Sequence, residues 1–411
     1  MSKMELSVSR LVSGRRASLV LSRPASLWVA SGVVAQTLWT SAAPAMAYRI
    51  YAHEWGLSPT VTTAIFAIYP ISVVAVLIGF GDLSDHIGRR AAMLMGLAAS
   101  ILGAVIFATA PNVGWLLVAR AAMGVGVGLT AGPSTAAVIE FGAPGASRRA
   151  AMVTTVAQAV GFAAGLIVGG LLVQYAPWPM RAPFWLLAGL LALLFVATWF
   201  LPRGVKASAR WRPRVPHAPR PIRGAFVLAA SAMTSAYTHG AIVLSLGGQV
   251  AYDLVGSPNV FVNGATLSLF AIVSGAVGLA GRLLPARAAM SLGAVASISG
   301  MGLIVLAAEM HALAVFLLAV STAGAGYSLP FLSALDVADR AAPANQRGGV
   351  LSALYLVAYL AMGSIALALG VVATAKGLQL AVDLGAGVIA VLSLFTLFLA
   401  LSERGLTPRR P

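Results

Sequence analysis

The chain of 411 residues is 59% apolar and only 9% charged, with a mean hydropathy of +0.91. Soluble domains carry roughly 25% charged residues, so a water-facing fold is excluded and lipid is the expected solvent for most of the surface. Cysteine is absent, which excludes disulfides, thiolate nucleophiles and zinc-thiolate sites, and with no metal-ligand spacing, phosphate loop or catalytic constellation the sequence points away from an enzyme and implies no cofactor.

A hydrocarbon core about 30 Å thick takes roughly 20 apolar residues per helix. Windows of that length predict an all-α membrane protein of twelve spans, at 27–48, 60–81, 91–110, 114–137, 150–173, 182–201, 224–248, 259–280, 288–308, 312–335, 349–372 and 379–401. They divide into a tail 1–26, a six-helix bundle 27–201, a linker 202–223, a second bundle 224–401 and a tail 402–411. The linker is rich in Arg and Pro, with Pro213, Pro216, Pro219 and Pro221. The first span has a rival reading as a cleaved signal, because Ala43-Pro44-Ala45-Met46-Ala47 follows an apolar stretch preceded by basic residues. Its apolar run is too long for a signal core, and removing it would leave eleven spans.

The net charge of +16 raises the question of nucleic acid, and its distribution answers it. With the N-terminus inside and loops alternating, 23 of the 27 basic residues fall on the inner side, leaving Arg49, Arg181 and Lys376 outside and Arg120 within a span. The positive-inside rule thus places both termini in the cytoplasm and accounts for the charge without a nucleic-acid partner. Lysine is confined to Lys3, Lys206 and Lys376, while Ala and Gly abound. That usage suggests a GC-rich bacterial genome and hence a bacterial inner membrane.

Two segments recur at nearly half the chain length. Gly81-Asp82-Leu83-Ser84-Asp85-His86-Ile87-Gly88-Arg89-Arg90-Ala91-Ala92-Met93 is echoed by Gly281-Arg282-Leu283-Leu284-Pro285-Ala286-Arg287-Ala288-Ala289-Met290, each after the second span of its half. Glu140 and Asp336 likewise close the fourth span of each half. Two pseudo-symmetric six-helix bundles with a site between them near the midplane are what such a repeat predicts.

The first of these segments, with its Gly-x-Leu-small-Asp-basic-x-Gly-basic-basic order, resembles the signature loop of the major facilitator superfamily. The twelve-span drug:proton antiporters are the members it looks most like. The loop's physics gives it a role: the N-terminus of span eleven, near Gly349, presents free N–H groups at the inner face. Asp85 is placed to meet it, and Arg89 to bridge Asp85 and Glu140. Gly81, Asp85, Gly88, Arg89, Arg90 and Glu140 therefore form a candidate latch between the halves.

Arg120 is the one basic residue inside a span, and a guanidinium at that depth costs at least about 2.5 kcal/mol on insertion scales, so it is expected to face the interior. It lies in line with Gly124, Gly128 and Gly132. Arg120-Ala-Ala-Met-Gly124 is similar to an Arg-x-x-x-Gly element of proton-coupled family members, and the resemblance implies proton transfer or binding of substrate charge. Gly161-Phe-Ala-Ala-Gly165-Leu-Ile-Val-Gly169-Gly170 looks like the antiporter motif of span five, with Leu166 where the family has proline. Gly124, Gly128, Gly161, Gly165, Gly169 and Gly170 are expected at close helix contacts.

Polar groups at membrane depth are the expected lining of a cavity: Gln36, Thr37, Thr40, Gln158, Tyr237, Asn263, Tyr355 and Tyr359. An unperturbed histidine titrates near neutrality, which makes His239 a candidate proton site. No carboxylate lies deep in a span, so Arg120, His239 and Asp253 are the candidates for coupling, the alternative being transport that is not proton-driven. The leading expectation is a monomeric transporter that exports a small, amphipathic molecule by alternating access, driven by proton influx. The alternatives are uptake of an organic anion with Arg120 as counter-charge, and a lipid flippase or membrane receptor on the same architecture.

Overall fold

The computed structural model describes residues 20–81, 83–142, 147–202, 218–343 and 346–402. Most of both predicted tails, most of the linker, and Asp82 of the signature loop lie outside the described residues. Among those described there are twelve long helices and no strand. The first six are α1 (Arg23–Ala42), α2 (Pro59–Phe80), α3 (Arg89–Thr109), α4 (Val113–Phe141), α5 (Ser147–Tyr175) and α6 (Ala182–Trp199). The second six are α7 (Arg223–Ser245), α8 (Val260–Gly281), α9 (Ala286–Met310), α10 (Leu313–Ala341), α11 (Arg347–Lys376) and α12 (Leu378–Leu401).

Eleven of the twelve are long and apolar enough to cross a bilayer. The exception is α1, in which Ser26, Ser31, Gln36, Thr37, Thr40 and Ser41 are all buried, so its polarity is turned inward rather than toward lipid. Its boundaries also differ from the expected 27–48. Ser22 caps its N-terminus by accepting from Ala25 N at 3.5 Å, and Pro24 occupies the first turn. Pro44 ends the helix, because proline has no N–H to continue the ladder. A turn over 43–47 follows, then a short helix, Tyr48–Trp55. The small-residue turn that resembles a cleavage site is packed inside the protein, with Ala43, Ala45, Met46 and Ala47 at most 5% exposed.

The same neighbours recur in both halves. In each, the third and fourth helices pack along their length, the second packs on the fourth, and the first packs on the fourth and fifth. Within the α3–α4 and α9–α10 pairs the match reaches individual residues. Gly96, Ser100 and Gly103 of α3 face α4 as Gly293, Ser297 and Gly300 of α9 face α10, extending the repeat well beyond the loop. Pro133 and Pro330 sit inside α4 and α10 without ending either helix. Those helices consequently run past their expected limits and place Glu140 and Asp336 near their final turns. The halves meet along α5 with α8 and along α2 with α11.

On one face the halves are joined at many points. Thr60 N donates to Thr374 Oγ1 at 2.9 Å, Val260 N to Gln174 Oε1 at 2.8 Å, and Asn259 Nδ2 to the Tyr175 hydroxyl at 3.1 Å. The opposite face carries the Gly81–Arg90 loop, and there Arg282 donates to the Ala151 carbonyl at 3.0 Å and to Thr155 Oγ1 at 2.7 Å.

Candidate transport site

Between the halves lies a cavity of about 490 Å³. Its walls come from α1, α2, α4 and α5 on one side and α7, α8, α10 and α11 on the other; α3, α6, α9 and α12 contribute nothing. The lining runs from Thr37 and Gln158, mid-helix, to Leu77 and Ile139 in the last turns of α2 and α4. The cavity therefore occupies the half of the molecule nearer the signature loop, while the far ends are sealed by the contacts just described.

Five tyrosines line it: Tyr69, Tyr237, Tyr327, Tyr355 and Tyr359. Tyr237 and Tyr359 meet edge to face with centroids 4.8 Å apart, Tyr327 stacks on Phe331 at 5.8 Å, and Tyr355 stacks on Tyr359 at 6.3 Å. Thr37, Thr135, Thr155, Gln158, Ser274 and Ser328 supply the remaining polar atoms. No Asp, Glu, Lys, Arg or His is among the described lining residues. Such a surface offers π faces, hydroxyls and amides, but no formal charge.

Of the residues expected to line a cavity, Thr37, Gln158, Tyr237, Tyr355 and Tyr359 do so, whereas Gln36, Thr40 and Asn263 do not. The correction is one of helical phase. Successive residues are turned by about 100° on a helix, so with Thr37 facing the cavity Gln36 faces α4. There its Nε2 donates to Thr130 Oγ1 at 3.1 Å and its Oε1 accepts from Thr40, one turn on, at 3.1 Å. Asn263 lies in the first turn of α8 at the sealed end, donating to the Ser257 carbonyl at 2.9 Å. His239 follows cavity-facing Tyr237 by two positions and so points to the opposite side of α7. It is fully buried, with Nδ1 3.0 Å from the Ser235 carbonyl. Tyr69 and Tyr327 are the lining tyrosines not anticipated, although a phenol at mid-span is itself the signal that marks them.

Arg120 is fully buried and is the largest side chain so enclosed. Its Nη1 donates to the Thr40 carbonyl at 3.4 Å. That acceptor is free because the residue four positions on is Pro44, which has no N–H to occupy it. Nε and Nη2 have no hydrogen-bond partner among the described residues, and the charge rests over the Tyr69 ring, with Cζ 4.5 Å from the centroid. Arg120 therefore stands behind the wall of the cavity, touching it through Tyr69 rather than lining it.

At the signature loop, Arg89 pairs with Glu140 and also donates to the Ala136 carbonyl at 3.1 Å. Gly88, at φ +91°, makes the break between the short helix Leu83–Ile87 and α3. Arg90 donates to the Leu201 carbonyl at 3.1 Å and Gly81 follows the end of α2. Asp85 is exposed and makes no hydrogen bond or ion pair among the described residues, so the expected bridge to it from Arg89 is absent here. Asp253, the remaining coupling candidate, sits on the sealed face against Arg49 of the other half, 3.4 Å away.

The glycines expected at helix contacts divide by depth of contact. A Cβ on Gly161 would lie 1.9 Å from the Ala35 carbonyl oxygen of α1, and one on Gly170 would lie 2.7 Å from the Val260 carbonyl oxygen of α8. Gly124 and Gly128 abut α2, Gly165 abuts α1 at 3.2 Å, and Gly169 has ordinary clearance.

Comparison with known proteins agrees with this architecture. Residues 28–367 match the Major Facilitator Superfamily as a sequence family. The chain is similar to the multidrug transporter mfsC of Aspergillus fumigatus, 36% identical over 147 residues, covering 34% of this chain and 27% of that protein. It is similar to the multidrug efflux pump LfrA of Mycolicibacterium smegmatis, 32% identical over 161 residues, covering 38% and 32%. The matched segments thus span about a third of those relatives or less. The crystal structure of the nucleoside transporter NupG, as a D323A mutant, superposes with a TM-score of 0.74 at 13% identity over 92% of this chain and 100% of that one. Two repeated helical bundles around a central cavity, and a family match over most of the chain, lead to one conclusion: the chain belongs to the Major Facilitator Superfamily.

Proposed function

We propose that this protein exports a small, amphipathic molecule by alternating access, driven by proton influx across a bacterial inner membrane. The observation that carries the reading is the cavity itself, a tyrosine-walled chamber that extends to the last turns of α2 and α4 on the signature-loop face, the face on which the positive-inside rule would put the cytoplasm. Substrate enters from that side or from the inner leaflet and is released when the sealed face opens. Relatives named as a multidrug efflux pump and a multidrug transporter support export.

Proton coupling needs a group whose charge state changes which face is closed. Among the described carboxylates none lines the cavity, and Asp253 is the one paired across the halves on the sealed face. A proton arriving on Asp253 from outside removes its attraction for Arg49 and weakens the clasp on that face; net influx requires that the proton pass to the cytoplasmic side when the face recloses, by way of groups other than a cavity carboxylate. Uptake of an organic anion with Arg120 as direct counter-charge is disfavoured, because Arg120 lies behind Tyr69.

The test is transport in inside-out vesicles. Quenching or release of Nile red and of charged fluorescent amphiphiles is followed while a proton gradient is imposed. Gradient-dependent accumulation of at least one probe, collapsed by an uncoupler and lost in Tyr237→Ala, is expected. Accumulation no different from vesicles lacking the protein for every probe overturns the reading.

A further inference from the structure

We infer that the cavity takes uncharged aromatic amphiphiles and discriminates against organic cations, with Arg120 as the residue that sets this preference. The inference rests on the reading of the cavity as the substrate site.

Two observations carry it. Among the described residues the lining presents five tyrosines and no carboxylate, so a bound cation would have no counter-ion there. The buried formal charge held against the back of that lining is positive: Arg120, with Nε and Nη2 unpartnered among the described residues and its Cζ 4.5 Å from the ring centroid of Tyr69, while a second cation, Arg282, donates to lining Thr155. Buried charges are ordinarily paired. This one is not neutralised by any described acid, and its field is directed into a water-poor interior.

The magnitudes decide between attraction and repulsion. A ligand stacked on Tyr69 would sit roughly 8 Å from the guanidinium, where an effective dielectric of about 20 makes repulsion of a unit cation worth about thirtyfold in affinity. Cation–π attraction from the free tyrosine faces returns on the order of threefold to thirtyfold, and the Tyr69 ring is already engaged. Desolvation of the ion then tips the balance against binding. An organic anion gains from Arg120 by the same factor, but stripping water from a carboxylate with no charged donor in the wall costs far more. The uncharged molecule loses nothing and keeps the aromatic contacts and the hydroxyl and amide partners.

The test is direct binding to purified protein in nanodiscs, with empty nanodiscs as the partition blank. Three probes are compared: the naphthyl ether of 3,3-dimethylbutanol, its isostere the naphthyl ether of choline, and naphthoxyacetate. The uncharged ether is expected to bind at least tenfold more tightly than the choline ether, and Arg120→Gln to narrow that gap to under threefold. If Arg120→Gln does not fold, Ser274→Asp, which places a carboxylate on the cavity wall, is expected to raise choline-ether affinity at least tenfold. Tighter binding of either charged probe than the uncharged one by the unaltered protein overturns the inference. So does an unchanged ratio in a folded Arg120→Gln, or no gain in Ser274→Asp. Because binding is read without transport, failure of the export reading leaves this result separately visible.

Discussion

Arg49 and Asp253 lie 204 residues apart in sequence and 3.4 Å apart in space, clasping the two halves on the sealed face. The Arg49 guanidinium also stacks on Tyr252, with Cζ 3.1 Å from the ring centroid. Both charged side chains are partly exposed, at 31% and 46%, so the ion pair contributes only about 0.2–1 kcal/mol. A weak clasp suits a face that opens in every cycle, since 1 kcal/mol already shifts an equilibrium about fivefold. Asp253→Asn is expected to raise labelling of a Thr62→Cys reporter on this face by an impermeant maleimide severalfold, and to flatten the dependence of transport on external pH. Unchanged labelling together with an unchanged pH dependence would remove Asp253 from the coupling scheme.

Gly161 makes the tightest contact in the glycine run of α5. A Cβ there would stand 1.9 Å from the Ala35 carbonyl oxygen, a backbone atom that cannot swing aside, whereas one on Gly169 would clear its nearest neighbour by 3.7 Å. Gly161→Val should therefore push α1 from α5 and destabilise the protein by about 1–3 kcal/mol, the range for overpacked cores. Gly169→Ala should be nearly neutral. Thermal denaturation in detergent separates them, and equal midpoints for the two variants would contradict the close approach.

The spans were legible in the sequence because a run of about 20 apolar residues has few other uses, and the repeat was legible because its loops carry charge and glycine. The site was legible only in part. A phenol at mid-span marks the cavity: of nine tyrosines, Tyr69, Tyr237, Tyr327, Tyr355 and Tyr359 line it, and Tyr48, Tyr51, Tyr175 and Tyr252 lie at the sealed end. What composition does not fix is helical phase. Gln36 and Thr37 are adjacent and equally polar, yet one packs on α4 and the other faces the cavity. Arg120 was recognisable as a residue that must be buried, but its acceptor depends on a proline in another span. Only the fold brings Pro44's consequence, the open Thr40 carbonyl, within reach.

On the signature-loop face, Arg89 keeps its bonds to Glu140 and the Ala136 carbonyl within one half, while Asp85 is exposed and unengaged among the described residues. A carboxylate at a helix N-terminus contributes about 0.3–1 kcal/mol. Asp85 would gain that only when α11 closes over the loop, which is the conformation opposite to this one. Asp85→Asn should thus favour the conformation described here and raise labelling of a Ser274→Cys cavity reporter from the signature-loop side by about twofold to fivefold. Glu140→Gln, which loosens Arg89 inside its own half, should act mainly on thermal stability. Equal labelling of Asp85→Asn and the unaltered protein in both directions would argue that the loop does not latch.

Tyr359 holds the aromatic wall together, meeting Tyr237 edge to face at 4.8 Å and stacking with Tyr355 at 6.3 Å. Aromatic pairs of this kind add about 0.5–1.5 kcal/mol beyond area burial, so Tyr359→Ala should weaken apparent substrate affinity roughly tenfold. Tyr359→Phe keeps both ring contacts and should cost less than threefold; a larger loss would show that the hydroxyl itself binds substrate. His239 provides the contrast, because it is turned away from the cavity, with Nδ1 3.0 Å from the Ser235 carbonyl. His239→Gln should leave the pH profile of transport where it is while lowering thermal stability. A shifted profile in His239→Gln with full activity at the original optimum lost, and an unaffected substrate affinity in Tyr359→Ala, would together relocate the working site from the tyrosine wall to the far side of α7.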